Sequence, residues 1–198
     1  MKTLKSFFLT VICLGITFYT NAQKNYTVNT KSKFEVAGTS TVHDWVMKST
    51  EGTGTANLTV KDSKLTDINS LTIILPAESL KSGKSSMDDV AYEALDTKAH
   101  KNIKYVLKSA DKVNETVWNL TGTYTISGIS KEYRTQVNVT AVNGNFVLRG
   151  SNQITFADFG ISPPTAALGV VRTGKDLTIL FNITLNDYTQ SENVLVIK

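Results

Sequence analysis

The chain is 198 residues long and 41% hydrophobic, with 21 basic against 17 acidic residues and a formal charge of +4. That length fits one domain with a substantial core. No Lys/Arg cluster is interleaved with aromatics, which argues against nucleic acid as a partner, and the single cysteine, Cys13, excludes an intrachain disulfide.

Residues 1–22 read as a secretory leader. Lys2 and Lys5 form a positive start, Phe7 to Phe18 a short apolar core, and Thr20 and Ala22 supply the small residues for cleavage before Gln23. Ile12 and Thr10 upstream of Cys13 do not suit lipidation. Removing the leader deletes two lysines and no acid, leaving a near-neutral, cysteine-free single domain over 23–198. It is expected in the periplasm or outside the cell.

The first stretch with chemistry in it is "GTSTVHDW", Gly38 to Trp45. It reads as an extended strand edge. If Lys48 faces water, so does Val46, and His43, Trp45 and Met47 turn inward. In an extended segment His43 and Asp44 point to opposite faces and cannot pair. The only other histidine is His100, so neither a triad nor a metal site takes shape. His43 is expected as a wall residue and Trp45 as a ring aimed into the interior.

Period-two alternation follows. "TANLTV" sets Ala56, Leu58 and Val60 against Asn57 and Thr59. "LKSGKSS" resembles a phosphate loop but lacks its first glycine. "SSMDDVAYEALDTKAHK" then breaks the pattern: Met87, Val90, Ala91, Ala94 and Leu95 fall at helical spacing. Ser86 is placed to cap, with Asp89 three residues on, and Lys98 and Lys101 suit the negative end. One amphipathic helix is expected to lie across one end of a β-structure.

Alternation resumes in "VWNLTGTYTI", with Trp118, Leu120, Tyr124 and Ile126 inward. Asn143-Gly144 signals a tight hairpin. "DFG", Asp158 to Gly160, has no kinase context, and Gly160 is read as permitting a turn or close approach. "DLTILFNITL" alternates to the end. Asn-x-Thr triplets at Asn25, Asn57, Asn114, Asn119, Asn138 and Asn182 are read mainly as outer-face residues of strands rather than glycosylation sites. The sum is an antiparallel all-β domain, a barrel or a sandwich, with one helix.

These stretches, in this order, resemble the YceI-like family of exported lipid- and polyisoprenoid-binding proteins, particularly Bacteroidetes-type members. The likeness is carried by "GTSTVHDW", "LKSGKSSMDDVAYEAL", "HKNIKYVLKSA", "LTGTYTISGISKEYRTQVNV" and "DFGISPPTAALGVVRTGKDLTILFNITL", from Phe34 to Leu185. Tyr124, Ser130 and Asn102 depart from the residues usual there. The resemblance implies a lipocalin-like antiparallel eight-stranded β-barrel. Its lumen would hold a long-chain amphiphile (an isoprenoid, quinone or fatty-acid-like lipid), with no catalytic residue and no metal. Phe34, His43, Trp45, Met47, Tyr92, Leu95, Tyr105, Trp118, Phe156 and Leu168 are the expected lining, with the headgroup near the helix and "ISPPTAALG". Two alternatives stay open: a barrel enzyme using His43 as base on a lipid-like substrate, and an outer-membrane barrel.

Overall fold

A computed structural model describes residues 22–188. Apart from Ala22, the expected leader and Cys13 lie outside the described residues. The elements run β1 (Ala22–Val28), β2 (Lys33–Ser40), β3 (Trp45–Ser49), β4 (Thr53–Lys61), β5 (Lys64–Pro76), α1 (Ser85–Leu95), β6 (Asn102–Lys112), β7 (Val117–Ile126), β8 (Ile129–Val142), β9 (Asn145–Thr155), β10 (Thr165–Ala166) and β11 (Val171–Asp187).

Neighbouring strands pair antiparallel, and β11 returns to pair with β9 on one edge and with both β1 and β2 on the other. The result is a closed eight-strand barrel, because β1 and β2 form one interrupted stave and β3 and β4 the next. The first interruption is sealed by Ser32, which is fully buried. Its hydroxyl accepts from Thr184 N–H (3.0 Å), and Asn29 N–H donates to the Thr184 carbonyl (2.8 Å). The second is sealed by a hydroxyl pair, Ser49–Ser79 at 2.7 Å. At the first break a buried serine thus takes over a ladder hydrogen bond that would otherwise go unmade. Beside the Ser49–Ser79 pair, Lys48 of β3 exchanges two 2.9 Å backbone hydrogen bonds with Lys81 in the segment after β5.

Period two sets in from out as expected. In β7 Trp118, Leu120, Gly122, Tyr124 and Ile126 are all buried and the residues alternating with them are not. The outer face is largely polar: Asn57 donates to Asn25 (2.8 Å), and Asn69 donates to Asn57 (3.0 Å) and Thr59 (2.9 Å) across three strands. An outer-membrane barrel needs the reverse, an apolar band facing lipid. That alternative is therefore set aside. No helix among the described residues is long and apolar enough to cross a membrane. Asn143 and Gly144 take φ of 50° and 79°, the left-handed pair a two-residue hairpin requires.

The helix forms where its spacing predicts, but its ends are built differently. Lys84 occupies the N-cap, Ser86 lies inside the first turn, and no side chain caps the start. Buried Asp88 instead reaches back to accept from Ser82 N–H (2.8 Å) and the Ser82 hydroxyl (2.6 Å). Lys98 and Lys101 fall beyond the last turn, which Asp96 closes in a left-handed conformation. The reciprocal capping box sits in the "DFG" segment. Thr155 and Asp158 hold a short 3-10 turn, and Gly160 ends it at φ 65°, close against Ile129.

Candidate functional site

The barrel has a packed end and a hollow end. At the packed end Tyr26, Leu58, Trp118, Phe146 and Leu185 form a solid plug, with Tyr26 edge-on to Phe146 at 5.5 Å. Above it lies a cavity of about 700 Å³, lined by inward residues of the staves and by the inner face of α1. That volume is within the range of small-molecule sites, about 300–1,000 Å³. The helix, the β2–β3 turn and the segment 156–171 surround its mouth.

Seven of the ten expected lining residues border this cavity: Phe34, His43, Trp45, Met47, Leu95, Tyr105 and Phe156. Trp118 does not. It is 1% exposed within the plug, its Nε1–H finds no hydrogen-bond partner among the described residues, and Lys112 Nζ stands 5.8 Å from its ring. Tyr92 does not either. Its hydroxyl lies 2.8 Å from the carbonyls of both Glu78 and Leu80, so it fastens α1 to the end of β5. Leu168 faces water entirely, at left-handed φ 56°.

"GTSTVHDW" is not a continuous strand edge. β2 ends at Ser40, residues 41–44 turn, and β3 begins at Trp45. The Ser40 hydroxyl donates to the His43 carbonyl (2.7 Å) and accepts from the Val42 and His43 N–H groups, which pins the turn. His43 is exposed at the cavity rim rather than set in the wall, and its Nδ1 lies 2.8 Å from the Asp44 carbonyl. A carbonyl only accepts, so Nδ1 carries the proton. From Trp45 onward the alternation is as expected: Met47 is buried, Val46 and Lys48 exposed.

The ring of Trp45 lies over Gly38, its paired residue, and Nε1 donates to the Thr39 carbonyl (3.0 Å). A Cβ at Gly38 would sit 2.3 Å from the indole. The same seat recurs for Phe34 on Gly52, Tyr105 on Gly122 and Phe181 on Gly150, with distances of 2.2, 2.3 and 2.6 Å. Four lining aromatics therefore lie against wall positions that carry no side chain.

Residues outside the expected lining also form the wall, among them Ile73, Val137, Leu148 and Ile154, together with Leu177 and Ile179, which alternation had set inward. Each sits at an inward position whose height along the barrel follows only once the turns are placed. The wall also has a polar station. Asn152 donates to the Thr135 hydroxyl and to the Tyr124 hydroxyl (3.4 Å), all three buried. The Tyr105 hydroxyl nearby is buried with no hydrogen-bond partner among the described residues, and burial pushes it well above the ordinary phenol range. Between Tyr124 and Phe159, burial likewise pushes Tyr133 up to about 12, helped by its hydrogen bond to Asp158. The Thr155 hydroxyl and N–H, then Tyr133, hold Asp158 below the usual carboxylate range.

Asp88 anchors α1. Its burial opposes ionisation, but the Ser82 hydroxyl and N–H, with the Lys81 charge, outweigh burial and hold it below the usual range. A depressed folded value means this stabilisation is complete above the ordinary carboxylate range and fades as pH falls through the folded value. Acidification is therefore expected to speed amide exchange in α1, relative to the intrinsic rate at each pH, before that of the staves. Asp88→Ala should show that faster exchange already at neutral pH; unchanged exchange would deny the anchor.

The family model of the YceI-like domain matches residues 19–185. Solved structures share the fold. The crystal structure of Burkholderia cenocepacia BcnA superposes with TM-score 0.66 at 17% identity, covering 79% of this chain and 98% of that one. A polyisoprenoid binding domain from Saccharophagus degradans, implicated in plant cell wall breakdown, gives 0.64 at 12% identity, covering 84% and 99%. The Campylobacter jejuni YCEI protein gives 0.56 at 15% identity, covering 68% and 80%. No curated protein sequence matches the chain.

Proposed function

The chain belongs to the family of YceI-like domains, and from that premise we propose that it is an exported binding protein holding a long-chain amphiphile, an isoprenoid or quinone, in the barrel lumen. The cavity carries this reading: about 700 Å³ of space walled by aliphatic and aromatic side chains and closed at one end. Its mechanism is desolvation, at about 0.8 kcal/mol for each methylene moved out of water. The tail enters toward the plug, and the polar head stays near the rim, among His43, Lys84 and Lys104. The neighbour described as polyisoprenoid binding supports the cargo class. For the enzyme alternative, the His43 ring is engaged among the described residues by the Asp44 carbonyl.

Export rests on the leader read in residues 1–22. Protein recovered from the periplasm is expected to start at Gln23 by intact mass. Solvent extraction followed by mass spectrometry should release a polyprenyl compound. A purified protein that yields no apolar compound and takes up none from detergent would overturn the reading.

A further inference from the structure

Two turns meet at the rim. β2 pairs along β11 as far as Ser40–Thr173, so the β2–β3 turn at 41–44 and the β10–β11 turn at 167–170 lie side by side. Thr41 N–H donates to the Arg172 carbonyl (3.0 Å), Arg172 N–H donates to Thr41 Oγ1 (3.2 Å), and Thr41 Oγ1 donates to the Val170 carbonyl (3.4 Å). On these joined tips Val42, Val170 and Leu168 stand 65%, 75% and 107% exposed. Leu168 adopts φ 56°, ψ 34°, a region branched side chains rarely enter. The backbone thus bears a strained conformation in order to hold an aliphatic side chain out in water.

The apolar surface does not stop at the tips. Val42, Pro164, Ala166 and Val171 also line the cavity, so the lip runs without a break into the lumen. Lys84 and Lys104 border the same cavity, and Arg172 is exposed beside the lip. Of the nearby acids, Glu35 lies 3.6 Å from Lys48, and Asp44 is exposed on the turn.

The geometry points to a membrane-docking lip. Val42, Leu168 and Val170 insert into the surface of an anionic phospholipid bilayer, and the flanking cations meet its headgroups. This rests on the reading of the cavity as a lipid site. The lip projects rather than forming a groove, and it opens onto the only space a bilayer lipid would need to reach. Seated this way, the cavity mouth faces acyl chains, and a tail crosses into the lumen without meeting bulk water. Exposed aliphatics with flanking cations are the combination that holds peripheral proteins at such surfaces.

The test compares wild type, the double variant Leu168→Asp/Val170→Asp, and the control Val142→Asp. Val142 is an exposed valine (46%) beside the hairpin turn at the packed end. Flotation uses cargo-free vesicles of phosphatidylethanolamine with phosphatidylglycerol; transfer uses menaquinone moving between donor and acceptor vesicles. Wild type and the control should float and transfer alike. The double variant should lose about tenfold or more in both, the scale of one buried aliphatic side chain. Its thermal midpoint and its menaquinone uptake from detergent should be unchanged. Flotation that is independent of Leu168 and Val170, or no flotation by wild type, overturns the lip. So does a dimer in wild type that the double variant dissociates without any vesicle binding, which would assign the lip to a second copy. Uptake from detergent is read separately. No uptake by any form would refute the cavity reading, a result distinct from failure of the lip.

Discussion

Trp118→Ala is expected to lower stability by about 3–5 kcal/mol, the cost of emptying a large aromatic site that cannot collapse. The ring fills the plug with 1% of its surface exposed, among Tyr26, Leu58 and Phe146. Because it stands outside the cavity, cargo affinity of the folded protein should be unchanged. Trp118→Phe should cost far less, since the phenyl ring refills most of the space and the indole N–H it removes has no partner among the described residues to lose. Urea unfolding and menaquinone titration on the same samples check both. A Trp118→Ala protein of near-native stability, or one that is stable but no longer binds, would contradict the division into plug and cavity.

Leu95→Asp places a carboxylate on the inner face of α1, where Leu95 lines the cavity and packs against the cluster of Tyr124, Ile154 and Phe159. An unpaired charge facing an apolar lumen is not tolerated, so the helix swings away or the cargo is excluded. Affinity should fall at neutral pH by about 2–4 kcal/mol, the sum of a lost aliphatic contact and a poorly solvated charge. The far-UV β signal should persist, because the staves close on one another without α1. Burial raises the new carboxyl, so protonation just above the ordinary carboxylate range should restore part of the affinity. Loss of the whole β signal instead would make α1 part of the structural core.

Much of this was legible in the residues themselves. Alternation gave the sidedness of Ala56, Leu58, Trp118 and Leu185, and 3.6-residue spacing gave α1. What alternation lacks is a coordinate along the barrel axis. Trp118 and Tyr105 both read as inward aromatics, yet one fills the plug and the other borders the cavity. The resemblance puts Leu168 in the lining, but it stands fully exposed on the tip formed by residues 167–170. An extended "GTSTVHDW" would put His43 in the wall. The Ser40 hydroxyl, bound to the chain two and three residues on, turns it instead. Tyr92 was weighed as an aromatic ring, while its hydroxyl decides its place.

The paired aromatics and glycines bear on which molecules the lumen admits. A ring lying on a bare backbone takes up depth that a side chain would otherwise occupy, so the bore is set from behind, by what the wall omits. Adding one methyl at Gly38, Gly52, Gly122 or Gly150 would push a rigid ring toward the axis and narrow the channel, with no change in any residue that touches the cargo. Calibre and chemistry are thus separable in this barrel. Homologues with identical lining could sort straight chains from branched or cyclic ones by their glycines alone, and a cargo preference could be re-engineered at positions no ligand ever contacts.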